Sequence, residues 1–222
     1  AQIPTLRIVN LRRSDITGAS VATLFTLPNL EQLLLLYTNV DDDGLSALSE
    51  PKKLKVLDLR GCFLVSDAGL EHLRPLSNLV SLKIRSPQVS DAGMEPVASL
   101  VGLRSLVLED TYVTDTGAET LATLTELREL NLFRTQVGDE GLKSVTAMPQ
   151  LERLNVRDTQ VGDAGLESLQ GLANLRSLVL SETYVGDDGI AYLAGLSSLA
   201  QLDLWNTRVT DAAMDTIAGL AT

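Results

Sequence analysis

Three segments of this chain read almost alike at a fixed interval: "TQVGDEGL" at 135–142, "TQVGDAGL" at 159–166 and "TYVGDDGI" at 183–190. A period of 24 residues is the strongest constraint the sequence offers, because a fold that repeats itself must bury each unit against its neighbours. From Leu6 onward the whole chain falls into nine copies, starting at residues 6, 30, 54, 79, 103, 127, 151, 175 and 199, with one extra residue in the third. Their common form is L-x-x-L-x-L-x-x-T-x-V-x-D-x-G-L-x-x-L-x-x-L-x-x. Seven positions per copy are assigned to the core, 63 in all; only Pro51 departs from aliphatic or Met, and Ala118 is the one conspicuously small side chain.

Two periods sit inside each copy. The opening L-x-x-L-x-L, as at Leu127, Leu130 and Leu132, ends in an alternation of two and predicts a short strand with one buried face. The closing L-x-x-L-x-x-L, as at Leu166, Leu169 and Leu172, predicts one helical flank. A strand and a helix in 24 residues enclose no core alone, so the copies must stack. The Thr column (Thr38, Thr111, Thr135, Thr159, Thr183, Thr207, with Ser14, Cys62 and Pro87 as substitutes) supplies hydroxyls to the turn leaving each strand, a ladder expected to falter at Pro87. Asp at the thirteenth position (Asp42, Asp67, Asp91, Asp115, Asp139, Asp163, Asp187, Asp211) is expected to cap the helix it begins. Gly two residues later, replaced by Ser20 and Ala213, indicates close packing against the adjoining copy.

The L-x-x-L-x-L core with Thr or Cys beyond it resembles the leucine-rich-repeat family. "CFLVSDAGL" at 62–70 is similar to the cysteine-containing class seen in F-box substrate receptors and bacterial relatives, and the Thr-rich 24-residue form is similar to repeats of bacteria and some protozoa. The resemblance implies an α/β solenoid over residues 1–222 as a single domain, right-handed and curved, with a parallel β-sheet on the concave face and helices on the convex face. No F-box accompanies it, so no ubiquitin-ligase role carries over. Leu220 still stands in core register at the end of the sequence, so a longer parent protein, or end-to-end self-association through an uncapped C-terminal repeat, is expected.

Residues alternating with the buried leucines line the concave face. Four such columns hold 8 basic and 7 acidic residues, in a chain whose net charge is −11. Arg outnumbers Lys there seven to one, and the only Trp is there too. Arg and Trp bury large areas and make directed contacts. The candidate ligand-binding set is therefore Arg12, Tyr37, Arg60, Lys83, Arg85, Glu109, Phe133, Arg134, Arg157 and Trp205, with a secondary patch of Tyr112, Gln136, Gln160 and Tyr184 on the loop edge. The same residues also suit cross-strand pairing that keeps the strands soluble.

Catalytic and metal chemistry find no footing in the sequence. His72 is the only histidine, Cys62 the only cysteine and is assigned to the interior, and "DDDG" at 41–44 breaks calcium-loop spacing at Leu45. The acidic balance disfavours nucleic acid, and no apolar run is long enough to span a bilayer. No leader-like segment opens the 222 residues, so cytoplasmic and exported settings are both compatible. The expectation is a non-catalytic module, without cofactor, that binds a protein or peptide on its concave face. An architectural spacer in a larger surface or envelope protein and a glycan-binding face are the alternatives.

Overall fold

A computed structural model describes residues 5–48 and 53–220. Nine strands form one parallel sheet in sequence order: β1 (Ile8–Asn10), β2 (Gln32–Leu34), β3 (Val56–Arg60), β4 (Ser81–Arg85), β5 (Ser105–Glu109), β6 (Glu129–Asn131), β7 (Arg153–Asn155), β8 (Ser177–Val179) and β9 (Gln201–Asp203). Each strand pairs with its neighbour one repeat on, Ile8 with Gln32 and Leu154 with Leu178, while across β3 and β4 Val56 meets Ser81. The extra residue of the third copy is thus absorbed outside the sheet.

Helices return the chain along the opposite face: α1 (Gly18–Leu24), α2 (Asp42–Ser46), α3 (Asp67–Glu71), α4 (Met94–Ala98), α5 (Asp115–Thr120), α6 (Asp139–Leu142), α7 (Asp163–Leu166), α8 (Asp187–Ile190) and α9 (Met214–Gly219). They are short, and several continue as 3-10 turns such as Lys143–Ala147 and Ala191–Gly195. An apolar spacing of strictly three is the period of a 3-10 helix, which explains why the flank is not a longer α-helix. Strands stacked about 4.8 Å apart opposite bulkier helices make the strand face concave, and parallel crossovers of this kind are right-handed.

The core columns are buried throughout the middle repeats, Ala118 included. In the end repeats Leu6, Val9 and Leu11, and likewise Leu199, Leu202 and Leu204, are only partly buried, and Met214 is exposed. Pro51 lies outside the described residues. No helix among the described residues is long and apolar enough to cross a membrane.

The Thr ladder forms as expected, each hydroxyl from Thr38 to Thr207 donating to the carbonyl three residues back at 2.6–3.3 Å. Cys62 extends it with a thiol that donates to the Leu35 carbonyl of the preceding repeat. At Pro87 the ladder is bypassed. The residue before proline avoids helical backbone, so Ser86 alone in its column lacks the left-handed conformation found or replaced by Gly elsewhere, turns inward, and donates its hydroxyl to the Val65 carbonyl at 2.7 Å.

The Asp column corrects the sequence reading. These carboxylates do not cap the helix they begin; seven of them accept the N–H that precedes the helix of the next repeat, Asp42 from Ser66, Asp115 from Gly138 and Asp187 from Thr210 among them, at 2.6–2.8 Å. The next repeat's glycine makes room for that reach: a Cβ on Gly141 would lie 2.6 Å from Asp115 Oδ1, and one on Gly165 2.6 Å from Asp139 Oδ1. Ser20 stands in the glycine column of the first described repeat, where no Asp among the described residues reaches it. Where Gly18 replaces the first Asp, the cap of α2 is supplied within its own repeat by Asp41, which accepts from Gly44 N.

Candidate functional site

The chain leaves every strand but β4 through a residue with positive φ. Arg13, Tyr37, Asp110, Arg134, Asp158, Glu182 and Asn206 all occupy the left-handed region, with φ of 47–59°, and only Gly61 meets it with glycine. That conformation costs about 1–2 kcal/mol per ordinary residue, and the larger side chains kept there engage the concave face.

Most of the predicted concave cations are already paired. Arg85 Nε donates to Asp110 at 2.6 Å, Arg134 Nε to Asp158 at 3.0 Å, Arg157 Nε to Glu182 at 2.8 Å, and Arg60 grips the buried Asp58 with two donors. Glu109 accepts from Asn131 Nδ2 at 3.1 Å. Arg12 and Lys83 form no ion pair among the described residues. The face is therefore a self-neutralised lattice rather than a basic trough.

Two aromatic clusters rise from it. Near the start, the Tyr37 ring lies across Gly61, where any Cβ would overlap it, so that its hydroxyl meets Arg85 Nη1 at 3.1 Å while Arg13 stacks at 5.7 Å. Further along, the Arg157 guanidinium lies between two rings, 5.3 Å from the Phe133 centroid and 5.4 Å from that of Trp205, and Arg134 covers Phe133 at 5.0 Å. Trp205 reaches Arg157 from two repeats away because the column holds the small, buried Ser181 in between. Trp205 remains 60% exposed.

The residues that hold these side chains escaped the sequence reading. Asn131, Asn155 and Asp203, two positions earlier, accept the backbone N–H of Phe133, Arg157 and Trp205 at 2.9–3.0 Å, and Asn10 and Asp58 do the same for Arg12 and Arg60 at 3.2 Å. The Asp203 carboxyl is held below its ordinary range first by the Trp205 N–H, then by the nearby Ser181 hydroxyl and more weakly by Arg157, with burial opposing. The signal was present in the sequence: Asn or Asp stands two residues before each of these five large side chains.

Tyr112, Gln136, Gln160 and Tyr184 fall in one exposed row along the rim, joined by a second backbone ladder in which each N–H donates to the preceding repeat, as Gln136 does to Val113 O. The Tyr184 ring is covered by Arg208 at 4.8 Å. Cys62 is buried, and that burial pushes its thiol pKa up despite the Thr38 hydroxyl beside it. His72 closes α3, and no cluster of three metal-ligating side chains occurs among the described residues.

A sequence model described as a leucine-rich repeat region matches residues 33–218. Among solved structures, an internalin C2 (inlC2) from Listeria monocytogenes str. 4b F2365 is similar at 26% identity and a TM-score of 0.73, over 89% of this chain and 80% of that one. An internalin (inlF) from the same strain shares the fold at 24% identity and a TM-score of 0.57, over 90% of this chain and 68% of that one. No curated protein matches the sequence.

Proposed function

This chain belongs to the leucine-rich repeat family, and from that premise we propose that it is a non-catalytic module that binds a protein or peptide on its concave strand face. The carrying observation is the Phe133–Arg157–Trp205 stack. A well-exposed tryptophan over a guanidinium offers large contact area, and the Asx bonds beneath it hold the backbone in place, so little order is lost on binding. The buried Cys62, its thiol disfavoured from ionising, is unsuited to act as a nucleophile. The net charge of −11 speaks against a nucleic-acid partner.

The test is a capture experiment from whole-cell and surface extracts with the parent chain and a Phe133→Ala, Arg157→Ala, Trp205→Ala variant of unchanged circular dichroism. A partner held by the parent and weakened about tenfold or more in the variant supports the concave site. Equal retention by both baits sinks it. One observation favours a spacer reading: the internal pairing of Arg60, Arg85, Arg134 and Arg157 gives each a structural task. A spacer predicts no specific capture by either bait.

A further inference from the structure

The repeat rule is broken in two adjacent copies, and both breaks emerge on the same rim. In the third, the extra residue is expelled into the turn after Cys62, where Phe63 and Leu64 stand 48% and 58% exposed. In the fourth, Ser86 turns inward and leaves Pro87 exposed where other repeats bury a threonine. One repeat further on, Tyr112 is 57% exposed and borders a hollow that Pro87 also lines. The rim's backbone pairing joins Asn39 to Ile16 and Leu64 to Asp41 and resumes from Tyr112 through Arg208, but at Gln88 the ladder is interrupted, and Gln88 N donates to Ser86 Oγ instead. Two departures from the repeat thus bring apolar side chains to the surface, Phe63 and Leu64 at one and Pro87 at the other.

We propose that the rim formed by Phe63, Leu64, Pro87 and Tyr112 is a docking surface for an apolar protein segment flanked by basic residues. This deepens the protein-binding reading, on which it rests, with a second surface and a partner chemistry. Charge complementarity selects the flanks: the helix-start carboxylates Asp41, Asp42, Asp43, Asp67 and Asp91 run beside this stretch, in a chain of net charge −11 that repels acidic segments and anionic lipid. The far end of the rim shows the recognition already satisfied. There Arg208 of the molecule itself covers Tyr184 at 4.8 Å, whereas the position equivalent to Arg208 beside Tyr112 is Gln136, and among the described residues no cation stacks on the Tyr112 ring, Arg134 lining the hollow at its side.

The experiment selects a phage-displayed random peptide library on the chain, then titrates the enriched peptides by calorimetry into the parent, a Leu64→Asp, Tyr112→Ser rim variant, and the concave triple variant. The expected result is peptides pairing large apolar residues with Lys or Arg, whose affinity falls about tenfold or more in the rim variant and holds in the concave one. Deleting Phe63, which returns the third repeat to the common length, is expected to weaken the same peptides while the melting temperature is kept or raised. That separates lost docking from lost fold. An acidic consensus, affinity indifferent to the rim variant, or no enrichment overturns the proposal. Peptides lost only in the concave variant overturn it while the concave reading stands. Binding to phosphatidylserine vesicles, or a dimer abolished by Leu64→Asp, would give the rim to a membrane or a second copy and overturn it too.

Discussion

At the scale of single residues, the Asp and Gly columns are two halves of one device: the carboxylate of one repeat fits where the next has no side chain. Alanine normally gains about 1 kcal/mol over glycine inside a helix, so Gly141→Ala in an isolated helix would stabilise. Here its Cβ would meet Asp115 Oδ1 at 2.6 Å and Asp115 Cα at 2.8 Å. The net expectation is a loss of about 1–3 kcal/mol, read from urea midpoints. Asp115→Ala alone forfeits the bond to Gly138 N, worth about 1 kcal/mol. Combined, the two changes are expected to cost less than their sum, since removing the carboxylate relieves the overlap with Oδ1 while that with the Asp115 Cα remains; strict additivity would refute the coupling. Gly171, with nothing near its Cβ position, serves as the neutral control. The device also titrates. The Asp187 carboxyl is held below its ordinary 3.8 by the Thr210 hydroxyl and then the Thr210 N–H. A lowered folded value means stability present above pH 3.8 and lost as pH falls through the folded value. Asp187→Asn is expected to flatten that acid limb in pH-dependent melting, and an unchanged profile would argue against it.

At the scale of the element, each strand-to-helix turn must satisfy the carbonyls it buries, and the fourth repeat serves Val65 O with the Ser86 hydroxyl where later repeats use the backbone N–H of the rim. Ser86→Ala removes the donor to Val65 O and leaves that carbonyl unpaired, an expected loss of about 1–3 kcal/mol in chemical unfolding. A loss near zero would mean that water replaces the hydroxyl. The strands, the helical flank and the Thr ladder were legible in the sequence because a period reports what each position is. It does not report which copy a side chain reaches. A bond from Asp115 within its own repeat and one into the next leave identical columns, which is why the capping was assigned to the wrong helix. Only the irregular first copies distinguish them: Ser20 follows no Asp, and Asp41 appears where Gly18 has removed one. The concave arginines hid their partners similarly, because Arg85 and Arg157 pair 25 residues along the chain, outside any single column.

At the scale of the molecule, contacts run almost wholly between successive repeats, so stability is a sum of units and the interfaces joining them. Among the described residues the first and ninth repeats each pack against one neighbour, and Leu6, Leu11, Leu199, Leu202 and Leu204 in them are only partly buried. Amide exchange is accordingly expected to be fast in β1 and β9 and slowest in β3–β7, where Leu57, Leu82, Leu106, Leu130 and Leu154 are sealed on both sides. Uniform protection would contradict a chain of coupled units. The interface between the fifth and sixth repeats gives a sharper test, because Asp115 and Gly141 join the two halves there. Weakening one interface in a linear array lowers cooperativity rather than only stability. The Gly141→Ala variant is therefore expected to broaden the urea transition, lowering its apparent slope as the halves begin to unfold apart, whereas Ser86→Ala, acting on turn satisfaction in the fourth repeat, shifts the midpoint with the slope nearly kept. Should both variants shift the midpoint alone, the solenoid would be cooperative across its whole length, and the aromatic cluster on the later repeats would share the stability of the apolar rim on the earlier ones.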